Sequence, residues 1–145
     1  MKKLTKKSKV INLGCRLNFF ESEIIENILK KEKDVSKVVI NTCAVTNNAV
    51  QKSIYAVKKA LKDFPNSEVI VTGCASQVEK NRFENLGHIS KIVDNKLKTN
   101  PNSYISEDWV HEQTFNFPSI DYLSTQRTRA MLQIQQGCNH RCTFC

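Results

Sequence analysis

Six cysteines in a chain of 145 residues fall into two sets, and both are arranged as metal ligands would be. Cys138, Cys142 and Cys145 follow a C-x3-C-x2-C spacing, with Phe144 just ahead of the third thiol. Gaps of this size let one short loop wrap its thiolates around a compact centre, and soft sulfur ligands suit zinc or an iron–sulfur cluster. A closed structural zinc site takes four ligands, and this loop offers three sulfurs and His140. A cubane cluster takes one ligand per iron, so three cysteines leave one iron open to a small molecule. A loop of free thiols is the remaining reading.

The second set, Cys15, Cys43 and Cys74, is scattered, and only the fold can bring it together. Lys9-Val10-Ile11-Asn12-Leu13, Val38-Val39-Ile40-Asn41 and Val69-Ile70-Val71-Thr72 read as short buried strands, each ending at one of these cysteines. Between them lie helical patterns. Asn18 followed by Glu21 resembles a capped helix start, and Phe20, Ile24, Ile25, Ile28 and Leu29 recur at helical spacing until Lys30-Lys31-Glu32-Lys33. Val50, Ile54, Val57, Leu61 and Phe64 form the apolar stripe of a second helix, ringed by Lys52, Lys58, Lys59 and Lys62 and ended by Pro65-Asn66. A third helix carries Val78, Phe83 and Leu86 and stops at Gly87, and Ile92-Val93 reads as a fourth strand.

The three cysteines thus stand about 30 residues apart, the length of one strand–helix unit. Successive β-α-β units with right-handed crossovers make a parallel sheet whose strand C-termini share one edge, and open α/β sheets bind ligands at that edge. The spacing predicts three thiols on one rim and a second metal site there. A lone cysteine after a strand also serves as a small buried hydrophobe, and that reading stays beside the metal. Gly14 and Gly73 suit a close backbone approach to a bulky centre or an ordinary tight turn.

From Lys98 to Thr128 the pattern dissolves into a connector, with Asn100-Pro101-Asn102-Ser103 and Phe117-Pro118-Ser119, and short elements expected only around Trp109 and Phe115. Arg129 to Gln135 alternates as a strand leading into the cysteine loop. Composition is that of a soluble globular domain, with 40% hydrophobic and 25% charged residues. The alternation of strands and helices argues against a disulfide framework. No apolar run approaches the ~20 residues that span a bilayer, and the lysine-rich start lacks the apolar stretch of a secretory signal. A reducing cytoplasm is the expected location. The net charge of +8 favours a polyanionic partner, yet no aromatic-interleaved basic stripe stands out, so a solvated lysine face remains equally open.

Five motifs together carry a family likeness. Cys138-Asn139-His140-Arg141-Cys142-Thr143-Phe144-Cys145 resembles the signature of radical S-adenosylmethionine (SAM) enzymes. With Leu13-Gly14-Cys15-Arg16-Leu17-Asn18, Asn41-Thr42-Cys43-Ala44-Val45-Thr46, Val71-Thr72-Gly73-Cys74 and Arg129-Ala130, the chain resembles the N-terminal portion of the radical SAM methylthiotransferases. That resemblance implies an α/β fold with a small open parallel sheet flanked by helices over residues 1–97. A connector over 98–128 and the first strand and cluster loop of a truncated SAM barrel over 129–145 would follow. It implies that Cys15, Cys43 and Cys74 bind an auxiliary [4Fe-4S] cluster, that Cys138, Cys142 and Cys145 bind the SAM cluster, and that Phe144 lies against SAM or simply packs. One SAM would methylate sulfur held at the auxiliary cluster, and a second would yield the radical that opens an unactivated C–H bond.

The wording of the motifs looks most like the branch acting on N6-threonylcarbamoyladenosine at position 37 of tRNA, with methylthiolation at C2. The isopentenyladenosine tRNA and ribosomal-protein branches are alternatives within the family. A stand-alone iron–sulfur module or scaffold and a zinc-binding nucleic-acid module are alternatives outside it. Because the barrel is incomplete at Cys145, the resemblance leads to the expectation that this polypeptide alone is catalytically silent. A truncated product, one half of a split gene and an N-terminal fragment all fit, with a complementing C-terminal half or an electron donor as partner.

Overall fold

In a computed structural model, residues 8–31, 35–105, 134–135, 139–140 and 143 are described. Four parallel strands form one sheet in the order β1-β2-β3-β4. They are β1 (Lys9–Asn12), β2 (Lys37–Thr42), β3 (Glu68–Gly73) and β4 (Lys91–Ile92). Their register pairs Ile11 with Ile40 and Ile40 with Val71, so the three long strands end level. Every residue of β2 is buried, as expected of a central strand covered on both faces.

Alternation along the strands divides the core in two. Val38, Ile40, Val69 and Val71 point to one face and meet Val50, Ile54 and Val57 of α2 (Asn47–Asp63). Phe83 of α4 (Lys80–Glu84) completes that layer and is fully buried. Val39 and Ile70 point to the other face, against Phe20, Ile24, Ile25, Ile28 and Leu29 of α1 (Arg16–Lys31). Both apolar stripes read from the sequence are therefore core, although Leu61 and Phe64 are only half-buried. Thr46 caps α2, its hydroxyl accepting from the Ala49 amide at 3.1 Å, a bond typically worth ~1 kcal/mol.

The expected third helix is two short ones. After α3 (Cys74–Val78) the chain bends at Glu79 before α4 begins, which turns Val78 outward, 75% exposed, rather than into the core. Gly87 lies past the end of α4 with φ +104, a conformation that favours glycine.

Asn18 is not a helix cap. It lies inside α1 and is buried, as is Glu21, whose carboxylate meets Lys98 Nζ at 2.6 Å. Packing also continues beyond residue 97, where the sequence predicts only a connector. Ser103 and Tyr104 of α5 (Asn102–Ile105) are buried beneath α1 with Lys98. The Tyr104 hydroxyl donates to the Lys98 carbonyl at 2.6 Å, and buried Lys37 donates to the Tyr104 carbonyl. Burial, and secondly the Glu21 carboxylate, hold the Tyr104 hydroxyl far above its ordinary pKa, so it remains a neutral donor.

A sequential strand order with α1 on one face and α2 on the other requires crossovers of opposite hand. The expectation of right-handed crossovers throughout thus fails at one of the first two connections. The physical need is visible in β2, whose two apolar faces both demand a covering layer.

Candidate functional site

The C-terminal edge of the sheet carries one thiol per long strand, as the spacing predicts. Cys43 directly follows β2, Cys74 directly follows β3 as the first residue of α3, and Cys15 sits between β1 and α1. The chain leaves β1 toward one face of the sheet and β2 toward the other, so the connections that carry Cys15 and Cys43 diverge from the strand ends. All three thiols are free: Cys43 is buried, Cys74 half-buried and Cys15 exposed.

Polar side chains fix this edge. The Asn18 amide links two of the cysteine segments: Cys15 Sγ donates to its Oδ1 at 3.8 Å, and its Nδ2 donates to the Thr42 carbonyl, next to Cys43, at 2.8 Å. Asn41 Nδ2 donates to the Asn18 carbonyl at 2.9 Å and to Ser22 Oγ at 3.2 Å, binding α1 to β2. Ser53 on α2 accepts from the Cys43 amide at 3.3 Å. At the third thiol, the Thr42 hydroxyl donates to the Thr72 carbonyl at 2.7 Å and accepts from the Ser76 amide at 3.1 Å. Each of the N–H and O–H bonds contributes about 1 kcal/mol, and more is lost if a partner is left buried and unpaired; the thiol contact is weaker.

Two glycines are needed for closeness rather than for a generic turn. A Cβ on Gly73, which has φ +100, would lie 2.3 Å from the Thr42 carbonyl oxygen and 2.5 Å from its nitrogen. A Cβ on Gly14 would lie 2.3 Å from Asn18 Nδ2. Below the rim, Asn12 Oδ1 and Asn41 Oδ1, on residues paired in register, are buried acceptors without a donor among the described residues. Downstream of the three cysteines in sequence, Leu17, Val45 and Val78 project into solvent, at 39%, 77% and 75% exposure.

Among the described residues, no three His, Cys, Asp or Glu side chains converge as a ligand set. The rim thus provides three soft, reduced donors on one edge, matching an iron–sulfur centre in kind, without closing them. Cys138, Cys142, Cys145 and Phe144 lie outside the described residues, as do Trp109, Phe115 and most of the strand expected at Arg129–Gln135. Within that stretch Ile134 and Gln135 are described, without regular structure, and Ile134 is 86% exposed. Asn18, Ser22, Ser53 and Ser76 were not legible as rim residues. The available signal was polar residues on an otherwise apolar helix face, as Asn18 and Ser22 are two turns before Ile25 and Leu29.

The fold and rim define a parallel α/β domain with a cysteine at the end of each of three successive strands. Residues 7–94 match the model of the family described as Uncharacterized protein family UPF0004, and the chain belongs to that family. It is similar to the threonylcarbamoyladenosine tRNA methylthiotransferase MtaB of Rickettsia prowazekii, 33% identical over 96% of this chain and 34% of that protein. The MtaB of Bacillus subtilis is 32% identical over 92% of the chain and 34% of its own length. The ribosomal protein uS12 methylthiotransferase RimO of Shigella flexneri is 34% identical over the whole chain and 36% of its own length. The chain spans about a third of the length of these relatives. No solved structure matches.

Proposed function

We propose that this chain is the N-terminal part of a methylthiotransferase that modifies C2 of N6-threonylcarbamoyladenosine at position 37 of tRNA. The observation that carries the reading is the rim: three free thiols on the ends of three parallel strands, in a chain similar to enzymes named for methylthio transfer to tRNA. Cys15, Cys43 and Cys74 would hold an auxiliary [4Fe-4S] cluster. Cys138, Cys142 and Cys145 would hold the cluster that binds SAM, beside Phe144, in a domain beginning near residue 129. When bound, these groups supply the sulfur and the radical chemistry that an unactivated C–H bond requires.

The chain's own residues contribute placement. Asn18 ties the Cys15 segment to the β2 end, Ser53 holds the Cys43 backbone, and Thr42 with Ser76 holds the start of α3. A ribosomal-protein substrate is the second reading, favoured by the similarity to RimO along the whole chain.

Two measurements test this. After anaerobic reconstitution with iron and sulfide, Cys15→Ala/Cys43→Ala/Cys74→Ala should hold about four fewer irons per chain than the intact protein. Equal iron in both removes the rim cluster. Nucleoside analysis of tRNA from cells lacking the gene should show threonylcarbamoyladenosine without its 2-methylthio group. Unchanged tRNA with an unmethylthiolated ribosomal protein would establish the second reading.

A further inference from the structure

The outward face of α2 has a chemistry that the rim does not use. Lys52, Tyr55, Lys58, Lys59 and Lys62 are all exposed, Tyr55 by 68%. At 3.6 residues per turn they fall within about 120° of the helix surface, opposite the buried Val50, Ile54 and Val57. None of the four lysines has an ion-pair or hydrogen-bond partner among the described residues. The only acid of the helix is Asp63, its last residue. Neighbouring like charges on one face repel each other, so the arrangement gains from a polyanion. An exposed tyrosine amid them is the aromatic-interleaved basic stripe that linear reading did not show, because its members meet only when the helix forms. The stripe runs ~15 Å along the axis from Lys52 to Lys62, and α2 starts at the rim, capped by Thr46 three residues past Cys43.

We propose that this face of α2 binds single-stranded RNA, its lysines neutralising phosphates and Tyr55 stacking on an unpaired base. Stacking needs a base out of the duplex, which single strands and loops present. An acidic protein surface would satisfy the lysines too, but it would not distinguish an unpaired strand from a duplex, as the test below does. The inference extends the tRNA reading, but its test needs no cluster, no SAM and no turnover. A chain that fails to bind iron can still pass it.

The test is fluorescence anisotropy of the 145-residue chain with a single-stranded oligoribonucleotide of roughly 12 nucleotides, and with the same strand annealed to its complement. Titrations run from about 50 to 200 mM salt. Lys52→Gln/Lys58→Gln/Lys59→Gln/Lys62→Gln is compared with a charge-matched control, Lys30→Gln/Lys31→Gln/Lys80→Gln/Lys96→Gln. Glutamine keeps helix propensity near that of lysine, and circular dichroism checks that each variant is folded.

The α2 variant should lose at least about tenfold more affinity than the control, and its log–log salt slope should flatten by about 3. Tyr55→Ala should weaken single-strand binding roughly tenfold at an unchanged slope and leave duplex binding nearly as it was. Equal losses in the two lysine variants would reduce the effect to overall charge and overturn the proposal. So would a Tyr55→Ala variant that binds as well as the parent, which would leave a polyanion surface without base contact. No binding by the parent chain at low salt also sinks it.

Discussion

The two faces of the sheet are covered by helices of similar length but opposite design. Under α1 the charges are inside: Glu21 and Lys98 pair out of water, and Lys37 and Tyr104 tie α5 to the same layer. Under α2 the interior is apolar but for Ser53, from Val50 to Phe83, and the charges stand outside as a lysine face unpaired among the described residues. A buried pair stabilises little by itself, since desolvation offsets most of its Coulomb attraction, but losing one member is costly. The α1 face is therefore sensitive to single charge changes, whereas the α2 face keeps its surface free for a partner.

The comparison can be broken most sharply at Glu21. Glu21→Ala strands Lys98 in the core and should cost about 3–5 kcal/mol in urea unfolding. A loss below ~1 kcal/mol would mean that water reaches the pair. On the other face, Thr46→Ala removes a helix cap but no buried charge, and about 1 kcal/mol is expected from the same measurement. The smallest effect should come from Glu21→Leu/Lys98→Met, which replaces both charges with apolar groups and should show no net loss of stability. If this double variant is as unstable as Glu21→Ala, the pair specifies the docking of the segment around Lys98 rather than merely tolerating burial.

The strands and their terminal cysteines were legible because a buried parallel strand is a short apolar run and each run ended in the same residue type. Asn18 and Glu21 were misread for a local reason. A polar pair near a helix start looks like a cap when its partners are invisible, and these partners, Thr42 and Lys98, are remote in sequence. Val78 fitted a helical stripe that holds only if α3 and α4 are continuous, and the bend at Glu79 undoes it. Lys98 and Tyr104 lie among turn-forming residues, and only the tertiary contact with α1 makes them core.

At Gly73-Cys74 the strand becomes helix with no residue between them, and position 73 has no room for a side chain. Any slip of β3 in the sheet would carry the Cys74 thiol with it, and Cys43 is joined to β2 in the same way. Cys15 alone is spaced from its strand, by Leu13 and Gly14, and is the exposed thiol of the three. Two of the thiols are thus placed by the strands themselves, while the third is placed at one remove, through the Asn18 amide that joins its segment to the end of β2.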